Sequence, residues 1–171
     1  LASGVSTPAE VPVQAKAAAS RARDLSRDLH RIAYELHPAI LDHLGLVPAL
    51  RQFAGQSAAS HGLKVEVSES DWPADLPADV SLALYRIAQE ALQNVARHSG
   101  AGEARVSLRG SAQGLTLLVS DKGRGFDPAA TPSGASLGLA GMKERLRLVG
   151  GELCVESSVD GGTVIAAGVP R

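Results

Sequence analysis

Aromatic side chains, cysteine and long apolar runs are all scarce in this chain of 171 residues. Aromatic residues make up 3% of it, which leaves no row of rings on which a single-stranded nucleic acid would stack. The formal net charge is −1, so no basic field attracts nucleic acid either. The single cysteine, Cys154, excludes an internal disulfide framework and a cysteine-based zinc site.

Membrane-spanning apolar runs and a signal peptide are also absent from the sequence. We therefore expect a cytoplasmic region that makes no membrane contact itself, although its parent protein is free to carry an anchor elsewhere. Because the chain begins with Leu1 rather than Met, we expect a fragment of a longer protein. Its 44% apolar and 20% charged residues are typical of a globular fold.

The sequence divides into three parts. Residues 1–14 are rich in Ala, Ser, Pro and Val and are predicted to form a flexible leader. Residues 15–61 show helical periodicity, with a heptad-like stripe at Leu25, Leu29, Ile32 and Leu36 that is typical of a helix–helix seam. Residues 62–171 alternate between strand and helix patterns, which predicts an α+β domain with a mostly antiparallel sheet and helices on one face.

The segment from Val119 to Asp127, V-S-D-K-G-R-G-F-D, carries the most chemical information. Asp121 follows an alternating strand pattern, and Gly123 and Gly125 follow it in turn. A carboxylate at a strand end accepts a hydrogen bond from an exocyclic amine, and glycine lets the backbone approach a flat ring closely. This pattern favours adenine recognition, although D-x-G-x-G also occurs in ordinary turns and metal loops.

A helix predicted to begin at an N-cap Asp79 carries Glu90, Asn94 and His98 at spacings of four. Residues so spaced lie along one helix face, here opposite the apolar one. An amide oxygen is a suitable Mg²⁺ ligand, a carboxylate polarises an attacking group, and an imidazole contacts phosphate. A solvated polar face is the alternative reading for each residue taken alone.

Further glycines lie downstream. Gly138 and Gly141 are predicted at the mouth of a short helix, near Leu139 to Val149, where free N–H groups would attract phosphate. Thr163, after Gly161 and Gly162, either reaches the same site or holds a hairpin. A P-loop sequence is absent, and the dinucleotide-binding fingerprint fails because Pro128 stands where its third glycine is needed.

Four ordered motifs together resemble the ATP-binding domain of a bacterial two-component sensor histidine kinase. They are Q-E-A-L-Q-N-V-A-R-H-S (89–99), D-K-G-R-G-F (121–126), S-L-G-L-A-G-M-K-E-R (136–145) and G-G-T (161–163). The G-M-K-E-R sequence and L-H-P-A-I-L-D-H-L-G-L (36–46) resemble the nitrate-sensor-like branch in particular, in which the latter segment closes the dimerisation helices.

This resemblance implies a two-layer α/β sandwich of the GHKL (Bergerat) type, preceded by a long dimerisation helix, with residues 15–61 as the C-terminal part of that helical region. It implies ATP and Mg²⁺ as cofactors, a response regulator with a helix-turn-helix output domain as partner, and a homodimer formed through the N-terminal helices. Pro128 to Ser136 would form a mobile lid.

The resemblance also implies roles for single residues. Asp121 would bind the adenine amino group, and Gly123 and Gly125 would shape its pocket. Glu90 would assist phosphoryl transfer, and Asn94 would ligate Mg²⁺. The remaining predicted contacts lie on the phosphate side: His98, Gly138, Leu139, Gly141, Met142 and Thr163.

The phosphoacceptor histidine is expected to lie outside this chain. His30, in R-D-L-H, resembles an acceptor box, but it lies too close to Gly45 for an intervening helical turn-back, and Arg31 follows where an acid is needed. We interpret His30 and His37 as structural or surface residues. The prediction is a chain that binds ATP and Mg²⁺ but does not phosphorylate itself.

Two other classes of protein share parts of this pattern. One is a stand-alone ATPase of the same fold, such as a topoisomerase, chaperone or mismatch-repair ATPase. The other is a non-catalytic interaction protein, such as a pseudokinase or an anti-sigma-factor kinase. The Leu25–Leu36 seam argues against the first class, and the intact Glu90, Asn94 and Asp121 argue against the second.

Overall fold

The computed structural model describes residues 39–127 and 133–170. Four α-helices and a five-stranded sheet form most of this region. The elements in chain order are α1 (Ala39–Leu44), α2 (Leu46–His61), β1 (Lys64–Ser70), α3 (Ala78–Asn94) with a π-helical turn (Val95–Ser99), β2 (Glu103–Gly110), β3 (Gly114–Asp121), α4 (Ser133–Leu148), β4 (Glu152–Ser158) and β5 (Gly162–Pro170). The leader, the Leu25–Leu36 stripe, His30 and His37 lie outside the described residues.

The sheet has the strand order β1-β2-β3-β5-β4. β1 pairs with β2 in parallel, and every other neighbouring pair is antiparallel. Alternate residues of β2 and β3 are buried, so one sheet face is covered while the other faces water. The predicted α+β fold, with two layers and a mostly antiparallel sheet, is confirmed.

The core lies between that sheet face and the helices. Helix α3 contributes most to it, since its apolar residues recur every three or four positions and lie on one stripe. Leu84, Tyr85 and Ile87 are fully buried, and the Tyr85 ring packs edge-on against Phe53 of α2 at a centroid distance of 6.3 Å. The opposite stripe of α3 is left to polar side chains.

Helix α2 belongs to the same packed unit as the sheet. The compact unit runs from Ile40 to Arg171, and Leu46, Val47 and Leu50 of α2 are part of its core. The boundary predicted between residues 61 and 62 therefore does not separate two packed units. The apolar face seen in the sequence of α2 packs against β1 and α3.

Truncating Leu50 tests this placement. Leu50 is 1% exposed, so Leu50→Ala is expected to lower the free energy of unfolding of the whole domain by about 2–5 kcal/mol. Gln52→Ala, on the exposed side of α2, is the control and should change it by less than about 0.5 kcal/mol. Chemical denaturation followed by circular dichroism measures both. If Leu50→Ala unfolds at the same denaturant midpoint as the wild type, α2 is not part of the core of the domain.

Two helix starts differ from the predictions. Helix α3 begins at Ala78 with Pro77 at its N-cap, so the N-cap predicted at Asp79 is wrong. Asp79 lies in the first turn, where its carboxylate accepts a hydrogen bond from the Val80 N–H at 2.9 Å. Helix α4 begins at Ser133, six residues before the predicted start, and so includes the last part of the predicted lid. Residues 128–132 of that lid lie outside the described residues.

Candidate functional site

Asp121 is the last residue of β3, and its side chain points to the covered face of the sheet. It is 9% exposed, and its Oδ1 atom accepts a hydrogen bond from the Gly123 N–H at 2.7 Å. On either side it pairs with Ala104 of β2 and Thr163 of β5. A carboxylate this buried is held in one orientation by the turn that follows it.

Gly123 and Gly125 allow the Asp121 loop, defined here as residues 121–126, to lie directly on neighbouring backbone. A β-carbon on Gly123 would overlap the Ser99 carbonyl group, at the end of the π-helical turn. Gly125 has φ +55°, and a β-carbon there would overlap the carbonyl oxygens of Ser158 and Gly162 in the β4–β5 hairpin. The glycines are thus required by contacts within the protein. Their predicted part in shaping an adenine pocket stays a prediction.

Thr163 lies beside Asp121, and its hydroxyl group belongs to a defined hydrogen-bond network. The Ser157 hydroxyl donates to the Gly162 carbonyl at 2.9 Å and accepts from the Phe126 N–H at 3.0 Å. Ser157 Oγ and Thr163 Oγ1 are also 2.9 Å apart. Because the Ser157 hydroxyl already donates its one proton to Gly162, we assign Thr163 as the donor in the Ser157–Thr163 hydrogen bond. Thr163 then presents only acceptor lone pairs to its remaining surroundings.

Glu90 and Asn94 lie one turn apart on the polar stripe of α3, and both are half-buried. Gly138 of α4 packs against them. A β-carbon built on Gly138 would lie 2.6 Å from Glu90 Oε1 and 3.9 Å from Asn94 Nδ2. The structure therefore brings together two residues of the predicted constellation and one of the predicted glycines.

His98 departs from the predicted row. It lies in the π-helical turn, where hydrogen bonds reach five residues ahead, so a spacing of four no longer stacks it above Asn94. Its side chain is exposed. A π-helical turn carries no simple sequence signal, because Val95–Ser99 reads as a continuation of α3. The predicted phosphate contact of His98 stays a prediction.

The glycines of α4 are not at a helix mouth. Gly138 and Gly141 lie inside the helix, where their N–H groups belong to its ladder, so the predicted anion site at a helix N-terminus is wrong in its geometry. Leu139 is half-buried, and Met142 is fully buried in the core. A side chain without accessible surface meets a nucleotide only if it moves, so the role predicted for Met142 remains a prediction.

A cavity of about 820 Å³ lies outside this constellation. It is bounded by α1, the start of α2 and the loop after β1, with Trp72 and Leu76 among its walls. None of the predicted site residues lines it. The candidate site is therefore the region between α3, α4 and the ends of β3 and β5, and it is defined by side-chain chemistry rather than by cavity size.

Two absences hold for the described residues, 39–127 and 133–170. No helix there is both long and apolar enough to cross a membrane. No three His, Cys, Asp or Glu side chains there are grouped as a self-sufficient metal site.

The chain belongs to the family of histidine kinase-, DNA gyrase B- and HSP90-like ATPases, whose family model matches residues 79–171. That match begins in α3 and includes the Asp121 loop, α4 and the β4–β5 hairpin.

Curated relatives narrow the class to sensor histidine kinases. The chain is 34% identical over 143 residues to the signal transduction histidine-protein kinase/phosphatase DegS of Brevibacillus brevis, covering 84% of this chain and 37% of that protein. It is 37% identical over 147 residues to the sensor histidine kinase MctS of Rhizobium johnstonii, covering 85% and 32%. The chain therefore spans about a third of the length of these relatives and corresponds to the ATP-binding domain of such a kinase.

Solved structures share the fold. The blue-light-activated histidine kinase of Erythrobacter litoralis superposes with a TM-score of 0.62 at 23% identity, over 88% of this chain and 49% of that one. The ATP-binding domain of PrrB from Mycobacterium tuberculosis gives a TM-score of 0.51 at 27% identity, over 72% and 92%. The predicted GHKL fold is confirmed by these similarities together with the family match.

Proposed function

We propose that this chain binds ATP with Mg²⁺ and presents the γ-phosphate to a histidine of its parent's dimerisation region. The observation that carries the proposal is the pairing of Asp121 and Thr163 at the ends of adjacent strands. Both offer fixed acceptor atoms, and the loop that begins at Asp121 is docked on the turn following Glu90 and Asn94. ATP needs acceptors for its adenine amine at one end and polar groups for its phosphates at the other.

Adenine recognition is assigned to Asp121. Its Oδ1 atom is occupied by the Gly123 N–H, which fixes the plane of the carboxylate. The orientation leaves Oδ2 as the oxygen best suited to accept from an exocyclic amine, and Thr163 adds an acceptor beside it. Burial of the site to 9% exposure raises the cost of leaving such an acceptor unpaired, which favours a base that carries an amine.

The phosphate end is assigned to α3. Asn94 offers a neutral amide oxygen as the protein's ligand to Mg²⁺, and the remaining ligands would be phosphate oxygens and water. Bound Mg²⁺ would neutralise charge on the phosphates. Glu90 lies one turn earlier and against Gly138, and its carboxylate would orient an incoming nucleophile.

The reaction we propose is transfer of the γ-phosphoryl group from ATP to an imidazole nitrogen, with ADP as the leaving product. The acceptor histidine belongs to the parent protein beyond this chain, and a response regulator with a helix-turn-helix output domain would take the phosphoryl group from it. Homodimerisation through the N-terminal helices would bring site and acceptor together. The names of the two curated relatives support this class of reaction.

Titration of the purified chain with ATP, with and without Mg²⁺, tests the proposal. We expect saturable binding of one ATP per chain by calorimetry, tightened by Mg²⁺. Asn94→Ala should remove about tenfold or more of that Mg²⁺-dependent gain and leave the Mg²⁺-free affinity within about twofold. Gln93→Ala, at the neighbouring half-buried position of α3, is the control and should keep the full Mg²⁺ effect.

The other outcomes identify the alternatives. Absence of ATP binding by the folded chain would favour a non-catalytic interaction protein. Steady release of phosphate without any acceptor would favour a stand-alone ATPase. Incubation with γ-labelled ATP should leave the chain unlabelled, and acid-labile label on His30 would contradict the assignment of the acceptor to the rest of the parent.

A further inference from the structure

Arg124, in the middle of the Asp121 loop, connects three segments that are distant in sequence. Its backbone N–H donates to the Ser99 carbonyl at 2.9 Å, and its side-chain Nε donates to the His98 carbonyl. Its own carbonyl accepts from the Asp160 N–H at 2.6 Å, in the turn between β4 and β5. One residue thus joins the end of α3 to the β4–β5 hairpin through the loop that carries Asp121.

The acceptors that Arg124 uses are the unsatisfied carbonyls of a helix end. Helices leave their last carbonyl groups without partners within the helix, and the negative end of the dipole lies there. The π-helical turn ends at Ser99, so the carbonyls of His98 and Ser99 are such groups. The Arg124 guanidinium satisfies the His98 carbonyl and complements the dipole, which an apolar side chain could not do, while the Ser99 carbonyl accepts from the Arg124 backbone N–H.

The turn on which Arg124 is anchored is itself fixed. The Ser99 hydroxyl donates to the Val95 carbonyl at 2.9 Å and accepts from the Ala101 N–H at 2.9 Å. Gly123 lies against the Ser99 backbone with no room for a β-carbon. Two successive loop residues, Gly123 and Arg124, therefore contact one rigid turn. The N–H of the first of them also orients the Asp121 carboxylate. Any shift of the loop moves that carboxylate.

We infer that Arg124 is a positioning residue for base recognition: it holds the Asp121 loop on the π-helical turn and so keeps the carboxylate aimed at the nucleotide base. This inference rests on the proposed function in its reference to the base. The side chain of Arg124 need not contact the nucleotide. Arg124→Ala removes only the side-chain bond to His98, because the backbone bonds to Ser99 and Asp160 remain available to alanine.

Amide hydrogen exchange in the nucleotide-free protein is the first test. Arg124→Ala is expected to accelerate exchange at the amides of Gly123 and residue 124 by about tenfold, with exchange in the core strands unchanged. Lys122→Ala is the matched control, since it removes a cation from the same loop without removing a bond to the π-helical turn, and it should leave those amides protected. Unchanged exchange in Arg124→Ala would overturn the inference.

Base discrimination is the second test. Inosine triphosphate carries a carbonyl where ATP carries the exocyclic amine, so the ratio of the two affinities reports the Asp121 contact. Arg124→Ala should weaken ATP binding about tenfold while inosine triphosphate binding changes less than about twofold. A variant that loses affinity for both nucleotides equally, or for neither, would contradict positioning of Asp121. If the wild-type chain binds no ATP, the proposed function fails, and the exchange result still decides whether Arg124 fixes the loop.

Discussion

Replacement of Asp121 by asparagine is expected to weaken ATP binding by about 100-fold or more, which corresponds to about 2.7 kcal/mol. The reason is the hydrogen bond from the Gly123 N–H to Oδ1. In asparagine only the amide oxygen accepts that bond, so the NH₂ group must occupy the position of Oδ2. A donor would then face the adenine amine, which is also a donor, and both would be buried without a partner. Calorimetric titration measures the loss.

The same geometry predicts a change in base preference. The asparagine NH₂ group would face the O6 acceptor of guanine favourably, so the preference for ATP over GTP should fall in Asp121→Asn. Stability should change little, because the turn keeps its acceptor. Asp160→Asn is the control: it removes one negative charge near the loop at an exposed turn position, and its backbone bond to Arg124 remains. ATP affinity within about threefold of wild type in Asp121→Asn would exclude Asp121 from base recognition.

Local patterns predicted the elements that position this site. Alternating patterns predicted strands and helices within residues 62–171, where the structure has β1 to β5, and the 3.6-residue stripe located α3. Such patterns follow from burial of one face of each element. Helix starts were less predictable, because the first turn of α4 consists of the small residues Ser133 to Ser136, a composition that the sequence analysis assigned to a loop.

Contacts across long sequence separations were not predictable. Asp121, Glu90 and Asn94 were found because each belongs to a local motif. Ser157 was missed, since its contact with Phe126 spans 31 residues, and the bond of Arg124 to His98 spans 26. Serine and arginine in these positions look like ordinary strand and turn residues. The sequence signal for Ser157 was its pairing with Thr163, which follows from the Asp-Gly-Gly turn that connects their two strands.

Gly123 and Gly125 also make long-range contacts that the sequence did not predict. The sequence indicated that Gly123 and Gly125 allow a close approach, and it assigned that approach to a flat ring. The structure shows close approaches to Ser99 on one side and to Ser158 and Gly162 on the other. The two explanations are compatible, because a loop held from both sides is also the loop that presents a fixed carboxylate. The two explanations predict losses of different size when one of these glycines is substituted.

Gly125→Ala should therefore destabilise the domain as well as abolish ATP binding. The residue has φ +55°, a conformation that costs an alanine about 1–2 kcal/mol, and the new β-carbon would overlap two backbone oxygens that no side-chain rotation removes. Relief requires the Asp121 loop to move away from the β4–β5 hairpin. We expect a total loss of about 2–5 kcal/mol in the free energy of unfolding and no measurable ATP binding.

Gly150→Ala separates the conformational cost from the steric overlap. Gly150 has φ +72°, it lies after α4, and a β-carbon there would meet nothing within 4 Å. This control should lose only about 1–2 kcal/mol and bind ATP as tightly as the wild type. Chemical denaturation and calorimetric titration of the two variants give the comparison. Equal destabilisation by both would mean that the loop adapts to the extra methyl group, and the tight packing of residues 123–126 between π-helical turn and hairpin would then not be what fixes Asp121.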